Sequence, residues 1–303
     1  MTNNTPKIIN AMSVDVEDYF QVAALSKVVS RTQWDQYPLR VENNTLAVLD
    51  LFSACQIKAT FFVLGWVAER CPALIREIVA QGHELASHGY DHCKVSELTP
   101  AQFKEDLIKS KKILEDLSGV KIKGFRAPSY SIGEENYWAF DVLQELGYTY
   151  SSSIYPIKHD LYGIPTAPRF EFFPLKKGQI IEIPITTVKF LGRNYPCGGG
   201  GFFRLIPYRL SRLAIAHVNE KEKKPAVFYF HPWEIDPEQP VQSNLSLKSR
   251  FRHYVNLRAM KEKLKKLLLD FNWQTMEKTY LIPHANQQLT WSPKKIQIAA
   301  HAD

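Results

Sequence analysis

Two groups of metal-ligating side chains close apolar, strand-like runs: Asp15-Val16-Glu17-Asp18, and further on Ser87-His88-Gly89-Tyr90-Asp91-His92. Imidazoles four residues apart, His88 and His92, can meet one ion, and a carboxylate from the acidic group completes a three-ligand site. Three protein ligands leave a coordination position for water, which suits a catalytic ion rather than a closed structural one. The chemistry expected is metal-assisted hydrolysis, with zinc as the expected divalent ion. Side chains at i and i+2 share one face of a strand, so Asp15 and Glu17 point together, and Asp18 joins them only if the strand breaks. Two carboxylates on one face are costly unless a metal takes one and a cation holds the other. One of Glu17 and Asp18 is therefore expected to ligate, with Glu17 preferred. His83 is out of register with His88 and is read as structural.

Two more polar motifs end apolar runs: Phe125-Arg126-Ala127-Pro128-Ser129-Tyr130 and Phe228-Tyr229-Phe230-His231-Pro232-Trp233-Glu234. The elements that must carry all four motifs alternate along the chain. Strand-like stretches lie at 8–16, 58–64, 83–88, 122–126, 148–154, 180–187 and 225–230, with helical patterns at 44–55, 66–81, 99–117, 134–146, 206–218 and 254–270. Such alternation predicts parallel strands with crossover helices. The clearest helix is 99–117, where Thr99 caps, Pro100 takes the first turn, Gln102 completes a capping box and Gly119 ends it. The fold class expected is α/β, a distorted (β/α) barrel of about seven parallel strands, with the motifs at the strands' C-terminal ends.

Order, spacing and strand-end placement of these motifs resemble the polysaccharide deacetylases of the NodB-homology type, from about Ile9 to Leu269. Ala59-Thr60-Phe61-Phe62-Val63-Leu64-Gly65 is similar to that family's second strand. Ser13 to Phe20, Gly198-Gly199-Gly200-Gly201-Phe202-Phe203-Arg204 and His231 to Pro237 look most like the bacterial subgroup that accompanies exopolysaccharide and exosortase loci. The resemblance implies that Asp15 is the general base, Arg126 its anchor, His231 the general acid, and His88 and His92 metal ligands. It also implies an N-acetylated amino-sugar polymer or oligosaccharide as substrate. Ser129, through its backbone N–H, Tyr130 and Trp233 are the expected substrate contacts, and Tyr155, Phe202 and Phe203 also suit sugar-ring stacking. Relatives often carry an Asp at the position of Ser151 that orients the catalytic His; here Asp236 or Glu234 is left to substitute. Two rival readings are C–N hydrolysis of a small cyclic amide or imide on the same fold, and a carbohydrate-binding relative without turnover.

The bulk composition fits an enzyme domain. With 303 residues, 45% hydrophobic and 23% charged, the chain reads as one globular catalytic domain over 1–280 and a loosely held tail over 281–303. The net charge of +7 gathers late, in 248–258 and 261–266. A basic helix face is read as solvated, with no nucleic-acid partner expected and peripheral membrane contact left open. The N-terminus lacks the pattern of a secretory signal and no apolar run approaches a membrane span, so a cytoplasmic location is expected. Cys55, Cys71, Cys93 and Cys197 are expected as free thiols. Residues 155–178, rich in Pro and aromatics, are expected to wall a cleft. The four glycines at 198–201 lack the Lys-Ser/Thr of a phosphate loop and are read as a turn that lets substrate approach the backbone.

Overall fold

The computed structural model describes residues 8–160 and 162–282. All seven expected strands form: β1 (Ile9–Val16), β2 (Thr60–Val63), β3 (Glu84–Ser87), β4 (Gly124–Phe125), β5 (Tyr150–Ser151), β6 (Ile181–Glu182) and, after an antiparallel hairpin of β7 (Thr187–Phe190) and β8 (Arg193–Pro196), β9 (Val227–Phe230). They pair in parallel in the order β6-β5-β4-β3-β2-β1-β9. This curled sheet is the distorted (β/α) barrel that the alternation predicts. The gap between its ends is narrowed by Thr186, whose amide donates to the Val227 carbonyl and whose hydroxyl accepts from the Val227 amide. An unpredicted strand, β10 (Asn272–Gln274), pairs with the start of β1.

Strand alternation sorts the side chains into two cores. Met12, Val14 and Val16, with Phe61, Val63, Phe228 and Phe230, face the helices and are fully buried. Burying each such side chain stabilises the fold by about 1.5–3 kcal/mol. The opposite face of the same strands lines the barrel interior, where Ala11, Phe62, Ala86, Tyr150 and Tyr229 pack together. Ser13 and Asp15 alternate with the outward residues of β1.

Around the sheet run α1 (Val41–Ala54), α2 (Gly65–Arg70), α3 (Pro72–Ala80), α4 (Pro100–Ser118), α5 (Ala139–Glu145), α6 (Gly200–Leu205), α7 (Tyr208–Glu220), α8 (Leu247–Tyr254) and α9 (Leu257–Asp270). The predicted helix 66–81 is interrupted at Pro72, between α2 and α3, because proline cannot continue the ladder of the turn before it; Pro207 likewise separates an unpredicted α6 from α7, the predicted helix at 206–218. Helix α4 has the predicted ends: Thr99 and Gln102 form the capping box, and Gly119 closes it at φ +71°. Phe103, Leu107 and Leu114 make its buried face. All four cysteines are free. No helix among the described residues is long and apolar enough to cross a membrane. The expected tail lies, from residue 283 on, outside the described residues; Leu281 still belongs to a closing helical turn, Glu277–Leu281.

Candidate active site

Asp15 and Glu17 leave the end of β1 toward the barrel mouth, both almost fully buried. The strand breaks after Val16, and of the two carboxylates that follow only Glu17 meets the histidines. Asp18 does not face the histidines: its Oδ2 accepts from the amides of Arg40 and Val41 at the start of α1, and its Oδ1 accepts from the Tyr19 amide. With three backbone donors on it, Asp18 caps a helix and is corrected as a candidate ligand.

His88 and His92 come from the turn after β3. Gly89 and His92 both take left-handed backbone, at φ +77° and +59°, which folds the turn back on itself. It is pinned there: the amides of Gly65 and Trp66 donate to the carbonyls of Gly89 and Tyr90, and Arg31 donates to the carbonyls of Asp91 and His92. His88 Nδ1 lies 2.8 Å from the Arg126 carbonyl. Only a protonated Nδ1 suits that acceptor, so Nε2 is left with its lone pair toward the site. Burial holds the His88 pKa down at about 4, and the ring is neutral at pH 7.

One ligand atom each from Glu17, His88 and His92 lie within 4.8 Å of one another. His92 Nε2 approaches Glu17 Oε2 to 2.8 Å, yet without the direction of a hydrogen bond, so this buried carboxylate oxygen has no hydrogen-bond partner. An orphaned carboxylate oxygen beside two imidazoles is the donor set that zinc accepts, and the residues present fit such an ion. Burial opposes the Glu17 charge, but His92, His231 and His88 outweigh it and hold its pKa at about 2.

Asp15 Oδ1 accepts from Arg126 Nη1 at 2.6 Å. The fully buried guanidinium also donates to Ser13 Oγ, to the Ser152 carbonyl and to Ser152 Oγ, and stands 4.1 Å over the Phe62 ring. His231 enters from the end of β9, its Nε2 3.2 Å from Glu17 Oε1 and 4.0 Å from Asp15 Oδ2. Its Nδ1 lies 2.8 Å from Glu234 Oε1, and Glu234 Oε2 accepts from Arg204 Nε at 2.7 Å. Burial opposes protonation of His231, but Glu17 first and Glu234 next raise its pKa to about 9. Of the two substitutes considered for the missing Asp, Glu234 meets His231, whereas Asp236 is bound by Arg40 and Asn44. Ser151 itself bonds to Ser153.

The expected substrate contacts separate. Ser129, at φ +55°, shares a 620 Å³ cleft with His92, Lys27, Arg31 and Trp34. Tyr130 is buried among Tyr155, Tyr162 and Tyr229, and touches a second cleft of 370 Å³ walled by Tyr162 to Pro165 from the predicted loop. Trp233 is corrected: it is 5% exposed and stacked between His231, at 5.3 Å, and His253, at 4.4 Å, so neither face is open to a sugar ring. The glycines at 198–201 are corrected as well. A Cβ at Gly198 would meet the Val227 carbonyl at 2.3 Å, and one at Gly200 would meet Glu234 Oε1 at 2.3 Å. Gly198, Gly199 and Gly200 thus admit protein rather than substrate, while Gly201 faces open space, and the run does open a helix, α6.

Residues 24–151 match the family model described as polysaccharide deacetylase, and residues 152–281 match a domain of unknown function, DUF3473. The two matches abut, and one sheet crosses the boundary between them, with Tyr150 paired to Ile181 and Ser151 to Glu182. The chain is 33% identical to a peptidoglycan-N-acetylglucosamine deacetylase of Bacillus cereus over 96 residues, 31% of this chain and 35% of the relative. It is 34% identical to a chitooligosaccharide deacetylase of Bradyrhizobium sp. over 97 residues, 32% of this chain and 42% of the relative. These matches span less than half the length of either relative. Among solved structures, one from Mycobacterium smegmatis assigned as a polysaccharide deacetylase superposes with a TM-score of 0.60 at 19% identity, covering 96% of this chain and 95% of that one. Puue allantoinase superposes at 0.58 with 17% identity, covering 93% and 92%, which shows a shared fold.

Proposed function

We propose that this protein is a metal-dependent hydrolase that removes N-acetyl groups from amino sugars of a bacterial polysaccharide or its precursor. The observation that carries the reading is the convergence of Glu17, His88 and His92 on one point, with Asp15 and His231 both beside it. The names of the matched relatives, deacetylases of peptidoglycan and of chitooligosaccharide, support the substrate class. Residues 1–280 are taken as one catalytic domain, since His231 and Asp15 come from opposite ends of it.

A divalent ion held by Glu17, His88 and His92 would polarise the acetamide carbonyl and acidify a water molecule. Asp15, locked by Arg126, takes a proton from water as it attacks the carbonyl carbon. The Ser129 amide is our candidate donor to the developing oxyanion. His231, charged at neutral pH, gives its Nε2 proton to the departing nitrogen as the C–N bond breaks, and acetate and a free amine result. Zinc is the proposed ion, and the exopolysaccharide-type motifs suggest a secreted glycan as the polymer.

Acetate release from N-acetylated chitooligosaccharides by zinc-loaded protein, beside a panel of cyclic ureides, tests the reading. Expected are turnover of the sugars alone, metal loss in His88→Ala and His92→Ala, and metal retained in Asp15→Asn with kcat lower by about 10²-fold or more. Turnover only of cyclic amides, or sugar binding with no acetate released, would overturn it.

A further inference from the structure

The DUF3473 segment contributes more than strands to the barrel. It supplies His231 and everything that holds it. Glu234 is fully buried, and its Oε1 accepts from both the His231 amide, at 3.0 Å, and His231 Nδ1, at 2.8 Å. On the far side Arg204, itself 2% exposed, grips Oε2 and donates also to the carbonyls of His253, Val255 and Arg252. The carboxylate therefore has no freedom to leave the imidazole. Space for it exists only because residue 200 is glycine, since a Cβ there would overlap both carboxylate oxygens, at 2.3 and 2.7 Å. Trp233, packed on His231 and backed by His253, fixes the plane of the ring.

We infer that Glu234, held by Arg204 and admitted by Gly200, is the positioning residue of His231, and that building this proton-delivery unit is the function of the DUF3473 segment in this chain. The inference rests on the deacetylase reading for the reaction, but its geometry does not. A hydrogen bond to Glu234 keeps one proton on Nδ1 whether the ring is neutral or charged, so the proton that leaves is the one on Nε2, which faces Asp15 and Glu17. Ser151, where the family resemblance leads one to expect a carboxylate, is committed to Ser153 beside the buried Glu182, whose Oε1 accepts from the amides of Ser153 and Ile154. A second carboxylate there would crowd a buried carboxyl group that burial already disfavours as an anion. In this chain the carboxylate that meets the imidazole comes from the element that bears the histidine.

Glu234→Gln, Gly200→Ala and His231→Gln are compared with the parent, all zinc-loaded, on two substrates. One is an N-acetylated chitooligosaccharide, whose amine must be protonated to leave; the other is 4-nitrophenyl acetate, whose phenolate leaves unaided. Expected is a loss of about 10²-fold in kcat on the amide for Glu234→Gln and Gly200→Ala, with KM and metal content held and the ester far less affected. A second readout needs no turnover: the downfield proton resonance of His231 Nδ1, identified by its absence in His231→Gln, is expected in the parent and lost in Gly200→Ala. Equal losses on amide and ester, or an unchanged amide rate with the resonance still present, would overturn the inference. A parent that releases no acetate but shows the resonance, lost in Gly200→Ala, would instead sink the deacetylase reading and leave the Glu234 assignment standing.

Discussion

Glu17 and Asp18 are adjacent and chemically alike, yet they do opposite things, because the chain leaves the strand after Val16 and the start of α1 takes Asp18 away from the histidines. The preference for Glu17 was legible because the spacing puts it on the face of Asp15. What Asp18 does was not, because the amides of Arg40 and Val41 reach it only through the tertiary fold. Asp18→Asn is expected to keep its metal and to lose about 1 kcal/mol of stability through a weakened cap, read by elemental analysis and urea unfolding; metal loss would return Asp18 to the site. The role of Glu234 was open in the sequence beside that of Asp236, and only the position of Arg40 separates them. The burial of Trp233 had no sequence signal at all. The pair of Glu17 and His231 also has a pH signature in protein stripped of metal. Glu17, depressed to about 2, lends stability that is present above its ordinary 4.5 and is lost as pH falls; His231, raised to about 9, lends stability that is full below 6.5 and is lost as pH rises through 9. Chelated protein should therefore melt lower as pH climbs from 6.5 through 9, and His231→Gln should lack that component. Parallel melting curves for the two proteins across this window would refute the coupling.

At the scale of elements, short strands are placed by single contacts. Gly124 in β4 lies against Tyr150 of β5, and a Cβ there would fall 2.1 Å from the Tyr150 ring, whose hydroxyl donates to the half-buried Glu84. Gly124→Ala is expected to cost about 1–3 kcal/mol by overpacking, measured as a lower urea midpoint. An unchanged midpoint would mean that the tyrosine has room to move. All seven barrel strands were legible because a strand buried on both faces reads as a mostly apolar run of strand length. The β7–β8 hairpin escaped notice for the opposite reason. Its tip, Phe190-Leu191-Gly192, is exposed, with Leu191 at 84%, so no burial pattern marks it. Strand β10 was missed because three residues continuing from α9 give too short a signal.

At the scale of the molecule, the two family matches are not two independent units. β1, which carries Asp15 and Glu17, is flanked by β2 on one side and by β9 on the other, and β10 completes its lower edge. A chain ended after Ser151 would leave β1 without β9 and β5 without β6. Such a fragment is expected to lack a cooperative thermal transition and to bind zinc no better than an unfolded control, by calorimetry and metal titration. Cooperative melting of the fragment would show that 1–151 is a domain in its own right.

The same arrangement bears on how the chain is made. β1 leaves the ribosome early, but its register with Val227–Phe230 and Asn272–Gln274 is fixed only after more than two hundred further residues have followed. Until then a mostly apolar strand has one partner and an open edge, and pairings so distant in sequence are slow to close and prone to association meanwhile. The catalytic pocket is consequently the last part of the molecule to exist: a nascent chain cannot be active, and its most central strand is also the one most in need of protection during synthesis.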